Sequence, residues 1–400
     1  MRHEAGSEPA DGSAAEPVEA VVVVGAGPGG LAVAGALRAR DVDALVVDAA
    51  PGVGDRWRTH YDRLHLHTPR RWSSLPGYPI PRRYGRWVAR ADVVRYLEEY
   101  AAHHRLRLRL GVAVRRIDPV DGDAPAGRWR VTLADGATVH AHDVVVATGY
   151  NHTPVMPDWP GRDAFTGQLL HARDYRNGAP WAGRDVLVVG TGNTGTEIAT
   201  DLAEHGAAEV RLSVRTPPHI LARDRFGVPA QATGIAVRRL PPRLVDRLAG
   251  VLAAVQEPDL GDYGMPRAGR DLYTRTLEGR VPVQDVGIVD AIRSGRVRPV
   301  AALESFDGDE VVLTDGTRLR PALVVAATGY RAALEPLVGH LGVLGERGLP
   351  TVRGARRPEA RPGLWFTGFT NPISGMLREL AIDAGRIAAA VSAGGARPRG

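Results

Sequence analysis

The sequence predicts a three-layer α/β protein in which one strand–loop–helix plan is used twice. Two observations predict it. An apolar strand, a glycine-rich loop and a helical run follow one another at residues 20–40 and again at 185–204. A hairpin and an apolar strand ending in Ala-Thr-Gly-Tyr occupy residues 131–150 and again 311–330. A repeated pattern of this length is a stronger signal than either glycine motif alone.

The hairpin copies align without a gap. Val131, Leu133, Asp135, Gly136, Val144, Val145, Ala147, Thr148, Gly149 and Tyr150 match Val311, Leu313, Asp315, Gly316, Val324, Val325, Ala327, Thr328, Gly329 and Tyr330. Asp-Gly between two alternating runs marks a tight turn. The continuous apolar run that follows predicts a strand buried on both faces in each copy.

The first loop reads Gly25-Ala26-Gly27-Pro28-Gly29-Gly30, between a strand at 20–24 and a helix at 31–40. Gly25 permits the tight turn, Gly27 lets the backbone approach a pyrophosphate, and Gly30 lets helix and strand pack closely. The helix start adds free N–H groups and roughly half a positive charge. The next strand, 44–48, ends in Asp48, whose carboxylate suits ribose hydroxyls or caps the strand-end turn.

The second loop, Gly190-Thr191-Gly192-Asn193-Thr194-Gly195, keeps the same spacing between a strand at 185–189 and a helix at 196–204. Its next strand, 209–214, ends in Arg215-Thr216 instead of an acid. A guanidinium forks onto a 2′-phosphate where a carboxylate would repel it, or is simply a surface arginine. The expectation is therefore a Rossmann-like dinucleotide-binding pair, with the ADP half of FAD at the first loop and NADPH at the second. One nucleotide is a held electron carrier, and the other delivers hydride.

Composition narrows the chemistry. The 400 residues are 44 % apolar, as in a globular chain. Net charge is +6, yet the basic residues are all arginine, scattered in pairs such as Arg82-Arg83 and Arg238-Arg239. No basic helix or aromatic-interleaved stripe points to nucleic acid. Without lysine there is no P-loop lysine and no Schiff base. Without cysteine there is no disulfide, thiolate metal site or redox dithiol. His60, His65 and His67 lie close in sequence, but only Asp62 accompanies them, so no metal is expected. Residues 18–37 are apolar but glycine-broken and follow an acidic flank, unlike a signal peptide. A cytoplasmic protein without a membrane span is expected. Residues 1–17 read as a disordered tail.

Between the copies lies Phe165-x-Gly167-x-x-x-His171-x-x-x-Tyr175. With a glycine loop on each side, this resembles the linker signature of the flavin-containing monooxygenases, the class B enzymes that use FAD and NADPH. Related Baeyer–Villiger enzymes carry Trp where Tyr175 stands and lack an Asn like Asn193. The segments Gly54-Asp55-Arg56-Trp57, Tyr61 to Pro69 and Leu75-Pro76-Gly77 are similar to the YUCCA-type branch. The closing Gly363 to Phe369 resembles its flavin-contacting strand. Where animal and yeast members carry a flavin-side Asn, this chain reads His67-Thr68-Pro69, so that role is not transferred.

The resemblance implies an FAD domain at 18–155 and 325–400, with an NADPH domain at 156–324 inserted in it. It implies a small-molecule substrate and O₂, with one oxygen atom transferred through a C4a-peroxyflavin. The target is an oxidisable nitrogen or sulfur, or a 2-oxo acid that is decarboxylated. Thr68, Gly368 and Asn371 are the expected flavin-side residues, Thr68 and Asn371 being the catalytic candidates. Trp57 lines the flavin or packs the core. Asn371 to Gly375 places a helix start at the flavin or is an ordinary cap. Asn193 faces the nicotinamide or turns the loop. Residues 217–300 are expected to shape substrate access. An NADPH:acceptor reductase, an NADPH oxidase and a non-catalytic nucleotide sensor remain the alternatives.

Overall fold

The computed structural model describes residues 18–120, 128–238, 240–241, 243–247, 257–269 and 272–394. The tail expected over residues 1–17 lies outside them. Strand β1 (Glu19–Val24) is a valine run, and Val21, Val22 and Val23 are fully buried. A β-branched strand between two packed faces needs no polar alternation. Helix α1 (Pro28–Arg38) starts with proline in its first turn, where a missing N–H leaves no bond unmade. It packs on the C-terminal helix Met376–Ala393, whose Leu377, Leu380, Ala384 and Ile387 share its apolar cluster.

The first sheet continues with β2 (Ala44–Asp48), β3 (Arg107–Leu110), β4 (Val114–Pro119), β5 (Trp129–Leu133) and β6 (Thr138–Val146). Its order is β3-β2-β1-β6-β5-β4. The chain runs outward from β1 to β2 and β3, then returns to β1's other side as β6. The first glycine loop thus sits at a topological switch point, at the carboxyl end of β1, where open α/β sheets bind ligands. Strand β6 serves two neighbours. Residues near its start pair antiparallel with β5, while Val144, Val145 and Val146 pair parallel with β1 and with Leu364–Phe366.

The second sheet is wholly parallel. Its order is Val297–Val300, Glu209–Ser213, Asp185–Val189, Leu323–Ala326, Gln168–His171. The second glycine loop occupies its switch point in the same way. Helix Asn193–Glu204 covers one face, and a three-stranded antiparallel sheet carrying Leu303, Phe306, Val311 and Leu313 covers the other. The second unit is therefore a helical layer, a parallel sheet and a small antiparallel layer, whereas in the first unit the antiparallel strands β5 and β4 continue the main sheet from β6.

The second hairpin is followed, as expected, by a buried apolar strand: Arg318–Leu319 stays in the antiparallel layer, and Leu323–Ala326, buried throughout, joins the parallel sheet. Pro321, which has no N–H for a ladder, stands at the break. The boundary expected at 324/325 cuts strand Leu323–Ala326, and all four of its residues pair within the second sheet. The chain leaves that sheet only after Ala326. Tyr330–Arg331 then lies antiparallel to Thr153–Pro154, so the outward and returning passes between the sheets run side by side.

Candidate active site

The two glycine loops are copies in three dimensions. Gly25 and Gly190 both adopt φ +114°, a region closed to ordinary side chains. A Cβ on Gly25 would lie 2.6 Å from the Ala147 carbonyl oxygen, and one on Gly190 would lie 2.5 Å from that of Ala327. Those two alanines belong to the paired Ala-Thr-Gly-Tyr repeats. A Cβ on Gly30 or Gly195 would strike the first glycine's own carbonyl oxygen at 1.8 or 1.9 Å. Gly27 and Gly192 differ: a Cβ there meets nothing within 4 Å. The outer and inner glycines are required by the fold, while the middle ones face open space at a helix N-terminus. That space is what a pyrophosphate needs.

A cavity of about 1180 Å³ extends from the first loop. It gathers Gly25, Gly27, Asp48, Trp57, Thr68, Gly368, Asn371 and, from the second loop, Asn193. Gly30, Gly190, Gly192, Gly195, Arg215 and Thr216 are not on its wall. Asp48 accepts from the Ala26 N–H at 2.5 Å and the Ala50 N–H at 2.7 Å. It caps the turn and still lines the cavity, each oxygen keeping a lone pair for a hydroxyl. Trp57 packs against the α1 core on one side and lines the cavity on the other. The Thr68 hydroxyl lies 2.7 Å from that of fully buried Ser73. Asn371 precedes the C-terminal helix, whose first-turn Glu379 accepts from the Ser374 hydroxyl at 2.7 Å.

At the second loop, Asn193 joins the loop to the segment before the last helix of this unit. Its Nδ2 donates to the Pro282 carbonyl at 3.1 Å and its Oδ1 accepts from the Gln284 N–H at 2.7 Å. Thr191 donates to the Thr216 carbonyl at 3.0 Å, holding the loop beside the strand end. Arg215 is exposed there and makes no ion pair or side-chain hydrogen bond among the described residues. The linker residues have structural partners. Arg173 N–H donates to His171 Nδ1, so Nε2 carries the proton and donates to the Gly329 carbonyl at 3.1 Å. The Tyr175 hydroxyl donates to Asp201 at 2.6 Å on helix Asn193–Glu204.

Linear reading missed a polar cluster joining the two units. Glu197, on the second loop's helix, is 2 % exposed and accepts from His67 Nε2 at 2.5 Å. Arg63 donates to the Glu197 carbonyl at 3.4 Å and pairs with Glu204. Burial, then the neighbouring Glu197, pushes the Tyr61 hydroxyl far above its ordinary range. The residues are 130 positions apart, and no spacing rule links them. His65 is exposed and its ring meets the Arg63 carbonyl, so the three nearby histidines go to different places.

His60 lines the cavity against the edge of Trp57, with ring centroids 6.0 Å apart. Burial, then Arg56, Arg176 and Arg90, lower its pKa from 6.5 to about 4. The unfolded chain therefore binds a proton that the fold refuses. Stability from this group is present above pH 6.5 and lost as pH falls toward 4. His60→Gln should remove about 2 kcal/mol of the pH dependence in that window. Urea unfolding at pH 7 and pH 4.5 checks this, and an unchanged difference between the two would refute it.

The family described as pyridine nucleotide-disulphide oxidoreductases matches residues 22–224, although this chain has no cysteine. Indole-3-pyruvate monooxygenase YUCCA1 of Oryza sativa subsp. japonica is 38 % identical over 358 residues, which cover 88 % of this chain and 87 % of that protein. The flavin-containing monooxygenase from Stenotrophomonas maltophilia is 26 % identical with a TM-score of 0.68, covering 92 % of this chain and 98 % of that one. Bacillithiol disulfide reductase Bdr (YpdA) from Staphylococcus aureus shares the fold at TM-score 0.70 and 14 % identity, covering 95 % and 99 %. No helix among the described residues is long and apolar enough to cross a membrane. With its paired glycine loops and a cavity reaching both, the chain belongs to the flavin monooxygenases of the YUCCA type, NADPH-dependent oxidoreductases that use FAD and act on small molecules.

Proposed function

We propose that the enzyme converts an aryl 2-oxo acid to the acid one carbon shorter, with FAD on the first glycine loop and NADPH on the second. The reaction balances as 2-oxo acid, O₂, NADPH and a proton giving the shortened acid, CO₂, NADP⁺ and water. The observation that carries this reading is one cavity running from the first loop to Asn193 of the second. Leu66, Leu221, Val237 and Ile373 on its wall suit an aryl group, and Arg56, Arg173 and Arg225 suit a carboxylate. The names of the plant relatives favour the 2-oxo acid over nitrogen or sulfur oxygenation.

The residues present fit the cofactors. The open space at Gly27 and Gly192 admits pyrophosphates, and Thr148, which lines the cavity, has a buried hydroxyl with no partner among the described residues. Asp48 would take a ribose, while Arg215 with Thr216 would take a 2′-phosphate. Trp57, Thr68, Gly368 and Asn371 would surround the flavin. Bound flavin supplies oxygen activation once NADPH has reduced it. The chain orients the reactants and excludes water. Helix Ala230–Val237 roofs the cavity, and Gly234 brings it so close to the loop after Asn371 that a Cβ would lie 2.3 Å from the Ile373 carbonyl oxygen. Residues 19–155 and 327–394 would form the FAD domain around the inserted NADPH domain, in a cytoplasmic enzyme.

Indole-3-pyruvate incubated with holoenzyme and NADPH should yield CO₂ and indole-3-acetate in equal amounts. Stoichiometric H₂O₂ with every substrate would make the protein an oxidase instead. No NADPH consumption at all would favour a nucleotide sensor. Arg215→Ala should raise KM for NADPH roughly tenfold or more and leave KM for NADH within about threefold. Equal changes in both would remove Arg215 from the 2′-phosphate site.

A further inference from the structure

The chain has no cysteine and four methionines, so its oxidisable sulfur is confined to Met1, Met156, Met265 and Met376. Met1 lies outside the described residues. Met265 is 3 % exposed in the core of the second unit, and half-buried Met156 is not on the cavity wall. Met376 lines the cavity, and among the described residues it is the one sulfur that does.

The surrounding contacts fix where Met376 stands. It is the first residue of the C-terminal helix Met376–Ala393. The residue before it, Gly375, has φ +95° and no room for a side chain. A Cβ there would lie 2.4 Å from Gln231 Nε2 and 3.1 Å from Thr68 Cγ2. Gln231, on the roof helix, in turn donates to the Ser374 carbonyl at 2.7 Å. The helix therefore starts against Thr68 and just after Asn371, the two residues placed beside the flavin above. The Met376 side chain is partly buried against the apolar cluster of α1, which holds Leu377 and Leu380, and it also meets the cavity. Its wall neighbours Leu66, Ile373, Leu377 and Leu380 carry nothing that takes up oxygen. A thioether sulfur does, through a polarizable lone pair.

We propose that Met376 is a self-modification site: with no substrate in the cavity, the enzyme transfers its oxygen atom to the Met376 sulfur and makes the sulfoxide. The reaction balances as thioether, O₂, NADPH and a proton giving sulfoxide, NADP⁺ and water. The new S–O bond forms at a sulfur lone pair. Sulfur and NADPH each give two electrons, and the four reduce O₂ to the sulfoxide oxygen and one water. The proposal rests on the flavin lying beside Thr68 and Asn371, as placed above, and not on the 2-oxo acid. Sulfoxide formation turns a flexible apolar side chain into a polar one where it packs on α1. Turnover then slows, and methionine sulfoxide reductase reverses the change.

The test turns over holoenzyme with NADPH and isotope-labelled O₂, without substrate and with catalase present, and maps its methionines by mass spectrometry. Catalase removes peroxide from the bulk, so sulfoxide formed in its presence arises in the cavity. Met376 should carry the label in more than about half of the molecules, while Met156 and Met265 stay below about a tenth. NADPH oxidation should slow by roughly threefold or more and recover on treatment with methionine sulfoxide reductase and a dithiol. Met376→Leu should hold its own starting rate over the same interval. An unlabelled Met376 overturns the proposal, and so does equal labelling of Met156. A label that catalase abolishes overturns it too, since bulk peroxide is then the oxidant. A Met376→Leu enzyme that slows as fast as wild type does the same. The flavin's place is checked separately, through Trp57 fluorescence taken as the difference between wild type and Trp57→Phe. If FAD does not quench it, the flavin lies elsewhere and the placing fails. Quenching with an unlabelled Met376 sinks this proposal alone.

Discussion

Gly192→Val should give a folded, yellow protein that NADPH no longer reduces. A Cβ at Gly192 meets no atom within 4 Å, so the valine has room in the protein itself. It occupies the space at the start of helix Asn193–Glu204 where a pyrophosphate would approach the backbone. Flavin reduction at fixed NADPH should fall by roughly a hundredfold or more, equivalent to about 3 kcal/mol of lost binding. Gly27→Val is the mirror experiment: equally well folded by circular dichroism, but colourless. Gly195→Val is the contrast, because its Cβ would sit 1.9 Å from the Gly190 carbonyl oxygen, and it should fail to fold. Stopped-flow absorbance and the flavin content of purified protein decide the matter. Loss of flavin from the Gly192 variant, with retention in the Gly27 variant, would mean that the two nucleotides occupy the opposite loops.

Glu197→Ala should destabilise the protein by roughly 3 kcal/mol in urea unfolding. The carboxylate is 2 % exposed and holds His67 from the other unit. Removing it leaves the imidazole N–H without its acceptor and frees buried Tyr61 of its neighbour. Deleting one partner of a buried pair costs more than the pair contributes, because the survivor stays desolvated. Glu197→Gln, which keeps an acceptor oxygen, should recover most of the loss. The pair spans the two units, so KM for NADPH should rise in the alanine variant while FAD stays bound. A loss below about 1 kcal/mol would show that His67 and Glu197 are not coupled.

The glycine loops were legible because their demands are local. Gly30 must be glycine on account of Gly25, and Gly195 on account of Gly190, each within its own short loop. Strand ends at Asp48 and at Ser213, beside Arg215, follow from the length of an apolar run. The linker signature was legible for the same reason, since His171 bonds its own turn as well as Gly329. The apolar strand after the second hairpin was legible from its run of apolar residues, but not that it parts from the antiparallel layer at Pro321 while β6 of the first copy runs on unbroken. The roof helix was not legible beyond its position in the expected access region, because its role depends on Ile373 and Ser374 arriving from the far end of the chain.

The sequence by itself determined two dinucleotide units, their order along the chain and the glycines each must contain. Those properties arise from bonds between near neighbours and from the period of buried side chains. Only the tertiary structure decided that one cavity reaches both units, that His67 meets Glu197 across 130 positions, and that Gln231 meets Ser374 across 143. Such pairings have no period to read. They are selected by which faces the sheets and helices bury against one another, and a polar group enters that contact only where a partner from the distant segment can satisfy it.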